Sequence, residues 1–113
     1  MNYETLLYEV NDQIATVTLN RPEVLHALNS RAFNELEQVF MALTGDAAVR
    51  VILLTGAGER AFAAGADINE VARLDVATGE AKARRGQEVF RMIETCGKPV
   101  IACINGLDRK SVV

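Results

Sequence analysis

Val49-Arg50-Val51-Ile52-Leu53-Leu54-Thr55-Gly56 runs directly into Ala57-Gly58-Glu59-Arg60-Ala61-Phe62-Ala63-Ala64-Gly65-Ala66-Asp67-Ile68. The first part is a mostly unbroken apolar run that Gly56 ends, the pattern of a strand covered on both faces in a parallel sheet. The second part is a loop of small residues that lets a ligand come close to the backbone. Asp67 precedes Glu70 by three positions, an Asp variant of the capping box that opens a short helix. Helix N-termini carry unsatisfied N–H groups and the positive end of the macrodipole, and small neighbours let a carbonyl oxygen reach them. On physics alone the segment reads either as a tight strand-to-helix connection or as an oxyanion donor built from main chain.

Upstream, residues 4–10 and 14–19 are rich in β-branched side chains, with turn chemistry at Asn11-Asp12, and predict a β-hairpin. Asn20-Arg21-Pro22 closes its second strand, and a loop reaches about His26. From an N-cap at Asn29 or Ser30, the positions Ala32, Phe33, Leu36, Val39, Phe40 and Leu43 recur at helical spacing until Gly45. Downstream, a helix over about 76–96 turns Val89, Phe90, Ile93 and Cys96 to one side and stops at Gly97. A last strand follows Lys98-Pro99 over 100–104. The order makes an α/β fold, without internal repeats.

At 113 residues, half of them hydrophobic, the chain has the size of one domain. Such a chain can bury about 65% of its unfolded surface without disulfide or metal staples. A net charge of −3 with no basic block excludes the footprint of a nucleic-acid binder. Cys96 and Cys103 form no CxxC or metal-ligand pattern and read as reduced thiols. The N-terminus lacks a signal-peptide pattern and no stretch reaches the ~18 apolar residues of a membrane span, so the expectation is a cytoplasmic protein without a membrane partner.

Three segments together, Asn20-Arg21-Pro22 with Ala27-Leu28-Asn29, Phe62 to Ile68, and Lys98-Pro99-Val100-Ile101-Ala102 with Ile104-Asn105-Gly106, resemble the enoyl-CoA hydratase (crotonase) family in order and spacing. The resemblance runs from Glu4 to about Leu107. It implies a crotonase-like spiral of ββα turns, truncated after its first turns, whose site binds an acyl-CoA thioester. Two backbone N–H groups would grip the thioester oxygen, and Ala66 matches the first. Ala64, Gly65, Ala66, Asp67, Ile68 and Asn69 match the stretch that lies against substrate, and His26 and Ala27 the residues near the CoA moiety. The expected reaction is hydration of 2-enoyl-CoA, with no metal and no cofactor other than the CoA that carries the substrate. Isomerases, hydrolases, decarboxylases and dehalogenases share this architecture. The family's two proton-moving glutamates and its second oxyanion donor follow the Ile104-Asn105-Gly106 motif, so the chain by itself is expected to be inactive. The full-length protein is expected to form a homo-oligomer, a trimer or hexamer.

Residues 1–107 are thus expected to be the N-terminal part of a crotonase-like domain. Residues 108–113, Asp-Arg-Lys-Ser-Val-Val, are expected to be a non-native tail, because a common sequencing-library adapter encodes those six residues. An unpaired sheet edge over 100–104 and uncovered apolar faces predict aggregation or a partly disordered state in solution. Other readings stand beside these. Gly56-Ala57-Gly58-Glu59-Arg60-Ala61 fits a dinucleotide fingerprint with Asp75 at the ribose carboxylate position, although the Asp67 cap interrupts the helix it needs. The chain could also serve as a non-catalytic interaction module. His26, the one histidine, reads as a loop contact or a general base. Asp67 and Glu70 read as a cap or a carboxylate pair, and Arg84 and Arg85 as a solvated face.

Overall fold

A computed structural model describes residues 3–24, 26–58 and 75–103. Its elements are β1 (Leu6–Asn11), β2 (Ile14–Leu19), a short 3-10 turn (Pro22–Val24), α1 (Ser30–Thr44), β3 (Val51–Gly56), α2 (Val76–Glu94) and β4 (Val100–Cys103). The strands lie side by side in the order β1-β2-β3-β4. β1 and β2 are antiparallel, whereas β3 runs parallel to β2 and β4 parallel to β3. The expected short helix at Asp67, with Glu70, lies outside the described residues, as does 108–113.

The hairpin forms as expected, but its turn sits one residue later. Asn11 still pairs with Ile14, and the two turn residues are Asp12 and Gln13, both left-handed at φ 54° and 68°. A two-residue connection whose twist matches the strands needs positive φ at both positions, which explains the shift.

α1 is bounded as the sequence reads. Asn29 Oδ1 accepts the Ala32 N–H at 2.8 Å, and the chain leaves the helix at Gly45. Ala32, Leu36, Val39, Phe40 and Leu43 are buried against Ala15, Val17, Leu19 and Ile52 of the sheet. Parallel register aligns Ala15 with Ile52 and Val17 with Leu54, so alternate residues of β2 and β3 share this core face. Each large side chain fully buried there contributes about 1.5–3 kcal/mol. Among the described residues only that face is covered. Ile52 and Gly56 are buried and Val51, Leu53, Leu54 and Thr55 half-buried; whether β3 is covered on both faces, as expected, turns on residues outside the described ones. β4 is an outer strand, and its Ile101 is 51% exposed.

α2 ends two residues earlier than expected, with Thr95 as its C-cap. Its start is set by Asp75, whose Oδ1 accepts the Thr78 N–H at 2.8 Å while Thr78 Oγ1 accepts the Asp75 N–H at 3.0 Å. Asp75 is therefore spent on a capping box. α2 buries Gly86 and Val89, whereas Phe90 is exposed and only edges onto the Phe33 ring at 5.7 Å. Gly86 faces the Phe33 ring, and a Cβ there would meet it at 3.4 Å, an ordinary contact distance. Arg85 is not on a solvated face: it holds Glu37 of α1 through two nitrogens, at 2.8 and 3.0 Å, and Asn34 at 2.8 Å. The α1–α2 packing brings these side chains together, a pairing that local sequence could not reveal.

Candidate functional site

The parallel register puts Leu19 beside Gly56 and Thr55 beside Cys103, so β2, β3 and β4 end at one edge of the sheet. Each of the three motif segments continues in sequence from one of those ends: Asn20-Arg21-Pro22 from β2, the small-residue run from β3, and Ile104-Asn105-Gly106 from β4. Carboxyl ends of parallel strands are where α/β sheets place ligands.

Hydrogen bonds tie the β2–α1 loop to that edge. The imidazole of His26 is 2% exposed; its Nδ1 accepts the Arg21 N–H at 2.8 Å, and its Nε2 lies 2.8 Å from the Ala57 carbonyl. The Ala57 N–H donates to the Leu19 carbonyl at 2.8 Å. Within the loop, the His26 N–H donates to the Arg21 carbonyl at 2.8 Å and Arg21 Nη1 donates to the Ala27 carbonyl at 2.5 Å. Ala27 is buried, its N–H given to Val24 at 3.1 Å. His26 is thus a loop contact with both ring nitrogens occupied, and a general base has no lone pair there to use.

A second anchor went unread in the sequence. Glu35 sits among the buried positions of α1, and its carboxylate accepts the N–H of Glu4 at 3.0 Å, the N–H of Thr5 at 2.8 Å, the Thr5 hydroxyl at 2.7 Å and Arg31 Nε at 3.1 Å. The Thr5 carbonyl in turn accepts the Asn20 N–H at 2.8 Å. Glu35 therefore holds the residue from which the candidate loop starts. Burial alone would push its pKa up, but the N–H groups of Glu4 and Thr5, the Thr5 hydroxyl and Arg31 outweigh it and hold the carboxyl below its ordinary value. The signal was present: a glutamate between Ala32 and Leu36 on an otherwise apolar stripe.

Lys98 makes the corresponding tie on the β4 side. Its Nζ donates to the carbonyls of Leu43 at 2.6 Å and Asp46 at 2.7 Å, where α1 ends. Cys96 and Cys103 are both free thiols, Cys96 half-buried and Cys103 exposed. Among the described residues no group of three or more side chains could hold a metal, and no helix is long and apolar enough to cross a membrane. Of the expected site residues, the structure places His26 and Ala27 at the sheet edge; Ala64, Gly65, Ala66, Asp67, Ile68 and Asn69 lie outside the described residues.

The profile of the enoyl-CoA hydratase/isomerase family matches residues 9–108. The chain belongs to that family. It is 41% identical over 106 residues to the short-chain-enoyl-CoA hydratase of Clostridium acetobutylicum, covering 94% of this chain and 41% of that protein. It is 38% identical over 106 residues to the crotonyl-CoA hydratase of Syntrophomonas wolfei, again covering 94% and 41%. Among solved structures, an enoyl-CoA hydratase from Bacillus anthracis superposes with a TM-score of 0.88 at 31% identity, over 91% of this chain and 40% of that one. The chain thus spans about two fifths of the length of the relatives it matches, and its fold is crotonase-like.

Proposed function

We propose that the chain is the acyl-CoA-binding part of an enoyl-CoA hydratase. Support comes above all from the family match over residues 9–108, together with β2, β3 and β4 ending side by side where the chain leads on into its three family motifs. In this reading the Ala66 N–H donates to the thioester oxygen, with Ala64, Gly65, Asp67, Ile68 and Asn69 along the substrate and the His26–Ala27 turn beside the CoA moiety. Polarising the thioester draws electrons from the C2=C3 double bond. Water oxygen then bonds to C3, the electron pair forms an enolate, and a proton returned to C2 completes the hydration. Negative charge collects on the thioester oxygen between those steps, so a fixed N–H donor lowers the barrier by about 2.7–4 kcal/mol.

The side chains that move the protons are proposed to be the family's paired glutamates, outside these 113 residues, so this chain is expected to bind without hydrating. Residues 108–113 are proposed to be non-native. No cofactor is needed beyond the CoA that carries the substrate. The full-length protein is proposed to be a cytoplasmic homo-oligomer. Double-bond isomerisation is the second reading, because the matching family covers isomerases and the same enolate would serve them. Calorimetric titration with crotonyl-CoA, CoA and NAD tests the proposal. Saturable binding of the first two and none of the third is expected; a folded chain that ignores both CoA compounds would refute it.

A further inference from the structure

His26 is the only imidazole in the chain, and its neighbours dictate which nitrogen holds the proton. The Arg21 amide can only donate, so Nδ1 must be bare; the Ala57 carbonyl can only accept, so Nε2 must carry the hydrogen. The backbone is equally particular. His26 is left-handed at φ 59°, a conformation that among side-chain-bearing residues favours Asn, Asp and His. That turn sends the ring back toward the end of β3, where Ala57 is also held from β2 through Leu19. One residue thereby reverses the loop and fastens it to the strand end.

We propose that His26 is a positioning residue: an Nε2–H imidazole clamped between the Arg21 amide and the Ala57 carbonyl, which fixes loop 20–28 at the sheet edge for the CoA moiety. The ligand rests on the acyl-CoA reading above, whereas the tautomer does not. Long-range 1H–15N correlation spectra of the labelled chain read the ring directly, because no second histidine overlaps. A pyridine-type Nδ1 and a protonated Nε2 are expected. A ring protonated on Nδ1, or one averaging between tautomers, would overturn the clamp.

CoA titration of His26→Asn and His26→Phe tests the positioning. Asn keeps the left-handed turn and an amide oxygen where Nδ1 accepts the Arg21 N–H, whereas Phe removes both hydrogen bonds. The Phe variant is expected to bind CoA about tenfold more weakly than the wild type and to lose exchange protection at the Arg21 amide, with Asn restoring part of each. Equal CoA affinity in all three proteins would overturn the role. Should Phe not fold, the wild-type spectrum and the Asn titration still decide the matter. A folded wild-type chain that binds no CoA would instead overturn the acyl-CoA reading, and the ligand-free tautomer spectrum tells that failure from failure of the clamp.

Discussion

Replacing Glu35 with Gln should unsettle the candidate loop from a distance, through Thr5 and Asn20. The wild-type carboxylate serves four donors, of which both Thr5 groups are buried. An amide offers one oxygen: kept on the two Thr5 groups, which share Oε1, it turns its NH2 toward the Glu4 N–H and Arg31 Nε, which can only donate. A buried donor left without an acceptor costs about 1–3 kcal/mol, while the Glu4 N–H lies near solvent and can recruit water. Losing the Glu4 and Arg31 partners on the other oxygen, and the charge on the two Thr5 bonds, sets the expected loss at about 1–3 kcal/mol. Urea denaturation at neutral pH measures it. The pH dependence is the sharper readout. Because Glu35 titrates below its unfolded value, its contribution is full above the unfolded carboxyl range, about pH 4.3, and disappears as pH falls through the lowered folded value. Glu37 is also held low, chiefly by its hydrogen bond with Arg85, so only the difference between wild type and Glu35→Gln isolates Glu35. That difference should shrink toward zero in acid. A variant within 0.5 kcal/mol of wild type at neutral pH, or a gap constant with pH, would refute the hydrogen-bond account.

Gln13→Gly should raise stability by about 0.5–1 kcal/mol, because it relieves a left-handed side-chain-bearing residue at the hairpin turn; equilibrium denaturation checks it. Gly86→Ala should also stabilise, by up to about 1 kcal/mol, since the new Cβ meets Phe33 at ordinary contact distance and helix propensity improves; Gly86→Leu should destabilise through overpacking, and paired thermal melts separate the two. Lys98→Met should cost about 1 kcal/mol by taking the ammonium away from the Leu43 and Asp46 carbonyls at the C-terminal end of α1, with added salt narrowing the gap, as denaturation at two ionic strengths would reveal.

Where a feature depends on near neighbours in the chain, the sequence made it readable. Asn29 and Gly45 bracket α1 because caps act within a turn, and period-three-and-four spacing identifies its buried stripe. The family motifs were equally visible, as they are contiguous runs. What escaped depends on residues far apart. Arg85 meets Glu37 only once α1 and α2 pack, Lys98 reaches across to the end of α1, and Glu35 finds its donors beside β1. Asp75 was legible as a carboxylate in a suggestive place but not as a cap, because Thr78 completes a box that Glu or Gln usually closes.

The thioester-binding role of the Ala66 amide is most directly tested by titrating the 15N-labelled chain with a non-hydrolysable crotonyl-CoA analogue and following that amide. The account predicts a saturable downfield shift of the Ala66 N–H, larger with the acyl analogue than with CoA alone. Saturable binding that leaves the Ala66 resonance unmoved would contradict it.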